Sequence, residues 1–334
     1  DDGSSARAID HARRAWKMAQ RLGRLDLARA ARFEVADSSL TANRFSDAER
    51  IGRDLLVDSR RYADVNSEQL SLMVIGVVAM MRGNGKAARG RFEEVYELGT
   101  RTGQSYWRAL ARKFEGKAWL HADHKPARAA KALDQAARLY KTLGDGWATE
   151  ARGETLRDLA DAQLQAGKLA SARRAANEAL TVARRYQRNP SLSAAQWILA
   201  LVAIKEGKAD EALAAAGQAV AHAKKIDTPD LQWHAWHALA RAREMKGMTK
   251  QAVDAYEEAI EHLGRALLAA GGESEREGYM STGRVRQVYK DAIALYIKMG
   301  NSSRAMEILE VSRDAQLKQF FDPSKIETKD KKLR

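Results

Sequence analysis

Apolar residues recur three and four positions apart along nearly the whole chain, the spacing that gathers them on one face of an α-helix. After Gly83 they are Phe92, Val95 and Leu98; after Gly247 they are Val253, Tyr256, Ile260 and Leu263. Runs of β-branched residues are missing, so a sheet has no strands to draw on. The stretch 72–81 is apolar on every face. It predicts a helix enclosed by its neighbours or by a partner.

Small residues add a longer period. The turn Gly207-Lys-Ala-Asp-Glu-Ala212 recurs as Gly167-Lys-Leu-Ala-Ser-Ala172 and as Gly247-Met-Thr-Lys-Gln-Ala252. Glycine takes the left-handed conformation that ends a helix. The alanines after the turns are Ala8, Ala48, Ala88, Ala129, Ala172, Ala212, Ala252 and Ala305. A second series, Ala36, Gly76, Gly116, Ala160, Ala200 and Ala240, precedes the turns, and both advance by about 40 residues. Two synchronised registers imply close-packed antiparallel helices, since a small side chain on one admits the other.

First helices are predicted near 24–42, 65–82, 105–122, 147–165, 190–206, 229–246 and 275–299. Second helices are predicted near 4–22, 44–61, 85–100, 126–142, 168–186, 208–225, 248–269 and 301–320. The expected fold is all-α, a right-handed superhelical solenoid over 1–321 with one continuous core. Residues 1–23 form a half repeat, which points to further protein upstream. Residues 275–321 form an elongated last repeat, with Ser274-Glu-Arg-Glu277 as a capping box. Residues 322–334 read as a polar linker or tail.

The pattern resembles the tetratricopeptide repeat (TPR) family over about residues 3–320. The matching features are the small residue of each first helix, the turn glycine, the alanine of the second helix and an aromatic four later, as in Phe92 and Tyr256. That family commonly repeats every 34 residues; a period near 40 implies longer helices. Trp236 stands at the family's first-helix tryptophan position, a residue mostly missing from the other units, and the closing proline is missing too.

A second resemblance lies at the end of the array. Ala305, Glu307, Glu310, Ser312, Arg313, Leu317 and Phe320 match the segment that precedes CHAT domains, which are caspase-like cysteine proteases fused behind bacterial TPR arrays. The ending Ala315-Gln-Leu-Lys departs from that family's usual form. The resemblance implies a non-catalytic sensor region, with the catalytic histidine and cysteine beyond Arg334.

The chain has 57 basic and 44 acidic residues, a net charge of +13, and no cysteine. Disulfides, thiolate catalysis and zinc–thiolate sites are excluded. The charge favours acidic partners, while its scatter argues for a solvated surface over a nucleic-acid interface. No run is long enough to span a membrane, and the expected location is the cytoplasm.

Catalytic constellations are not evident. His234 and His237 share a helix face, as do His121 and His124, but no third metal ligand stands nearby in sequence. No cofactor and no metal is expected. Adjacent acids such as Glu93-Glu94 and Glu257-Glu258 read as solvated. Trp107, Trp147, Trp197, Trp233 and Trp236 fall at first-helix positions, where core packing is the default role and a groove contribution the rival. First helices line the concave side of such a solenoid. Register counting puts Lys113, Lys117, Arg157, Trp197, His234, His237 and Arg241 on that face. Basic and aromatic groups together suit an acidic or amphipathic protein or peptide segment. A protein-interaction scaffold regulating a CHAT protease is one expectation. The ligand-sensing region of a transcriptional regulator is another, and a nucleic-acid-binding basic solenoid is a third.

Overall fold

The computed structural model of the chain describes residues 2–269 and 283–317. Within them lie fifteen α-helices and no strand. They are α1 (Asp2–Arg21), α2 (Leu25–Thr41), α3 (Phe45–Arg61), α4 (Val65–Met81), α5 (Gly85–Arg101), α6 (Ser105–His121), α7 (Pro126–Thr142), α8 (Trp147–Gln165) and α9 (Leu169–Arg185). Then follow α10 (Asn189–Lys205), α11 (Ala209–Ala223), α12 (Pro229–Met245), α13 (Thr249–Ala269), α14 (Gly283–Lys298) and α15 (Ser302–Leu317). The chain divides into two compact units, Asp1–Gln187 with α1–α9 and Arg188–Arg334 with α10–α15.

The period has a simple origin. Helices α2 to α7, α9, α10 and α12 each have 17 residues. Most are joined by turns of three residues, so two helices with their turns make the 40-residue step. Gly207 sits at φ +74° in one such turn, and the Lys208 N–H closes the helix end on the Ala203 carbonyl at 2.9 Å. The same geometry recurs with non-glycine residues at Asn43 (φ 55°), Ala63 (φ 52°) and Gln187 (φ 50°). One turn type therefore ends helices both within and between pairs, which a reading keyed to glycine finds only in part.

Within each unit sequential helices pack on each other, and in the first unit α2, α4, α6 and α8 also touch in series. Both small-residue registers lie at these contacts. Ala36, Ala160, Ala200 and Ala240, with Ala48, Ala88, Ala129, Ala172, Ala212 and Ala252, are fully buried. Ala8 departs from its series and is exposed. Ala305 is buried.

The apolar stretch within α4 is enclosed by its neighbours. Leu72, Val74 and Val78 are buried, packed with Phe92 and Val95 of α5 or with Ile51 of α3, and Met81 at the helix end is exposed. The capping box at 274–277, the positions 275–282 of the elongated repeat, and Phe320 lie outside the described residues.

Candidate functional site

The seven residues picked by register share one face of their helices. Lys113, Arg157, Trp197 and His237 each stand three positions before the small residue of their first helix, Lys117 and Arg241 one after it, and His234 six before. The first unit holds Lys113, Lys117 and Arg157; the second holds the other four.

In the first unit α6 and α8 bring their side chains together. Lys113 is buried and its Nζ pairs with Glu154 Oε2 at 2.8 Å. Arg157 donates from Nε and a terminal nitrogen to Asp158 Oδ1, at 3.0 and 2.7 Å. Burial alone would raise the Asp158 carboxyl, but the charges of Arg157, Lys117 and Lys113 outweigh it and hold it down to about 2. The Glu154 carboxyl, also desolvated, is likewise held low by Lys113. Burial lowers the Lys117 ammonium, which stands 5.3 Å from the Phe114 ring centroid.

This face is zwitterionic, whereas the sequence reading drew it as basic and aromatic. Glu154, Asp158 and Asp161 answer Lys113, Lys117 and Arg157. Glu154 and Asp161 occupy the same registers, six before and one after Ala160, so the counting that found the cations also reaches these acids. The registers also continue as apolar side chains: Phe33 on α2, then Leu70, Met73 and Val77 on α4, and Leu110 on α6, all partly or largely buried against the core.

In the second unit the aromatic residues stack. The His234 ring lies on Trp233 with centroids 3.5 Å apart and meets Trp197 edge-on at 4.4 Å. Its Nδ1 is 2.7 Å from the Asp230 carbonyl. Arg284 of α14 lies over Trp197 at 4.9 Å. The buried His237 donates from Nε2 to Asp291 Oδ2 of α14 at 2.9 Å, and Arg241 Nε reaches the same oxygen at 3.6 Å. Gln287 Nε2 donates to Asp291 Oδ1. Burial pushes the His237 imidazole below its usual value despite the pull of Asp291. His237 thus serves as a structural tie between α12 and α14. Asp291 was not in the sequence reading; its register was hidden by the altered spacing of the last repeat.

Other expectations resolve locally. Trp107, Trp197, Trp233 and Trp236 are buried, whereas Trp147 is 57% exposed at the start of α8, edge-on to Tyr106. The adjacent acids are ion-paired: Glu93 with Arg112, Glu94 with Arg60 and Arg91, and Glu257 with Arg304 at 2.6 Å. Each pairing cation but Arg91 comes from another helix, which sequence adjacency does not show. Among the described residues no group of three or more His, Cys, Asp or Glu side chains could hold a metal ion. No described helix is long and apolar enough to cross a membrane.

No family model matches the chain. No curated protein matches it. Solved structures do. The apo form of RapI superposes with a TM-score of 0.59 at 13% identity, covering 86% of this chain and 76% of that one. NprR in complex with its cognate peptide NprX gives 0.55 at 14% identity, covering 86% and 78%. A signal-transduction ATPase with a tetratricopeptide repeat sensor, from Pyrococcus horikoshii, gives 0.51 at 12% identity, covering 87% and 50%. These likenesses and the all-helical, regularly repeating architecture show a TPR-like solenoid fold.

Proposed function

We propose that this chain is a non-catalytic recognition array whose first-helix face between α6 and α8 holds a protein or peptide segment. The observation that carries the reading is the convergence of Lys113, Lys117 and Arg157 with Glu154 and Asp158 beside the apolar strip of Phe33, Met73, Val77 and Leu110. Charged groups set orientation while apolar ones supply contact area. The NprR–NprX complex, a peptide held by a protein of like fold, supports it. Selection of peptides from a random decapeptide display library tests it. Enrichment of defined sequences by the wild type, lost in Lys117→Ala, is the expected result; no enrichment refutes the reading.

The wider role is regulatory. The resemblance at Ala305, Glu307, Glu310 and Ser312 supports an attached CHAT-type protease gated by the array. In α15, Ala305 and Ser312 pack inward, while Met306 and Leu309 are exposed one turn apart, an apolar patch suited to an adjoining domain. A ligand-sensing region of a transcriptional regulator is the second reading, favoured by the likeness to the peptide-bound NprR. Sequencing the gene through its 3′ end separates the two. A caspase-like histidine and cysteine pair supports the first reading, and a DNA-binding helix-turn-helix in the same product supports the second.

A further inference from the structure

The last described helix pair carries an apolar groove. It lies between α14 and α15 in the second unit, holds about 450 Å³, and is lined by Tyr289, Ile293, Ile297 and Leu309, with Arg286 and Lys290 at its rim. Leu309 is 36% exposed, which breaks a rule of the array. Phe92, Leu133 and Tyr256 also stand four residues after the turn alanine of their helix, and all three are fully buried. Part of that cover comes from the next first helix: Phe114 of α6 meets the Phe92 ring with centroids 5.7 Å apart. In the second unit α12 likewise packs on α10 and α11, the pair before it. The groove on α14 and α15 is therefore the seat of a further first helix.

The sequence after α15 supplies one at the right place. The chain has four prolines. Pro126, Pro190 and Pro229 stand in the first turns of α7, α10 and α12, where a missing N–H costs nothing. Pro190 and Pro229 follow the turn alanines Ala172 and Ala212 by 18 and 17 residues; Pro323 follows Ala305 by 18. Asp322 stands at the N-cap position, and Phe321 before it with Ile326 after it make the spacing of a hydrophobic staple. Ile326 and Leu333 lie three and ten residues after Pro323. The same offsets hold Ser193 and Ala200 in α10, and Gln232 and Leu239 in α12, all buried. On a helix Asp330 falls on the face of Ile326 and Leu333, while Ser324, Lys325, Thr328, Lys331 and Lys332 fall opposite, so the segment suits seating on one side only. One 40-residue step back from Asp330 is Lys290.

We propose that residues 323–334 form a further first helix seated in the α14–α15 groove, with Leu333 against Leu309 and Asp330 beside Lys290. An element of the array then replaces the linker expected at 322–334. The helix takes Leu309 from the patch offered above to an adjoining domain, so the two occupants compete.

Amide hydrogen exchange of the 334-residue chain, followed by mass spectrometry, tests it against a free peptide of residues 322–334, which is too short to be a stable helix alone. In the whole chain the amides of 326–334 should exchange about tenfold or more slowly than in the free peptide. Leu309→Asp and Ile326→Asp should each return them to the free rate, while Lys331→Asp, on the opposite face, should leave the protection in place. If Leu309→Asp does not fold, Ile326→Asp and Lys331→Asp decide the matter by the same contrast. Exchange at the free rate in the wild type overturns the proposal, whether the groove is then empty or closed by a second copy that sedimentation reveals as a dimer. Protection that survives both Leu309→Asp and Ile326→Asp overturns it too, since the helix would be seated elsewhere.

Discussion

A Cβ on Gly76 would stand 2.5 Å from Cε1 of Phe92, so the glycine of α4 and the ring of α5 share one space. Gly116 of α6 stands in the same relation to Leu133 of α7, again at 2.5 Å. Phe92 and Leu133 each lie four residues after the turn alanine of their helix, and both are buried. The small residue of the first helix is thus fitted to the large one of the second. Alanine has the better helix propensity, by about 1 kcal/mol. Overpacking outweighs it, and Gly76→Ala should destabilise the first unit by roughly 1–3 kcal/mol in urea unfolding. Phe92→Leu in that background should recover part of the loss, since the two changes share one contact.

Gln69 of α4 is wholly buried, and neither atom of its side-chain amide has a hydrogen-bond partner among the described residues. A desolvated amide without partners costs about 1–3 kcal/mol. Gln69→Leu, of similar volume, should therefore raise the urea midpoint with the slope unchanged. A lower midpoint would show that the amide is satisfied in solution.

The turn at Ala63 holds a side chain at φ 52°. A Cβ in the left-handed region costs about 1–2 kcal/mol, part of which glycine gives back as unfolded-state entropy. Ala63→Gly should raise stability by about 0.5–1 kcal/mol by thermal unfolding. The same substitution at Ala48, buried inside α3, should lower it.

His237 sets a pH dependence for the second unit. Its folded-state pKa is lowered by burial from the unfolded value of about 6.5, so the unfolded state binds the extra proton first. The folded state's advantage is complete above that value and declines as pH falls below it. Asp291 is also held low, by the His237 hydrogen bond acting against burial, and its contribution is lost further down, through the carboxylate range. Arg241 and Arg284 face the same imidazole and oppose its protonation. His237→Gln keeps an N–H donor near Asp291 without the titration. The fall in melting temperature between pH 7 and pH 5 should be smaller in this variant than in the wild type.

The solenoid was legible because packing constrains the sequence locally. Ala200, Ala212 and Ala240 must be small where helices meet, and the distance between them is fixed by helices of 17 and 15 residues joined by turns of three and five. The buried aromatic positions Trp233 and Tyr256 followed from the same frame. The charge of the proposed binding face was not legible in the same way. Lys113, Lys117 and Arg157 were reached by register, but what they meet depends on α8 lying beside α6, and Glu154 and Asp158 turn a basic strip into a paired one. Asp291 was missed because the spacing between α13 and α14 breaks the frame. The turns at Ala63 and Gln187 fell where the helix boundaries put them, but their left-handed backbone was not legible because no glycine marks it.

The direct measurement is the affinity of a peptide selected by the wild type for Lys117→Ala and for Lys131→Ala, an exposed lysine on α7. With both variants melting as the wild type does, Lys117→Ala should raise the Kd about tenfold or more while Lys131→Ala stays within about twofold. Equal affinities for the two variants would contradict a partner held between α6 and α8.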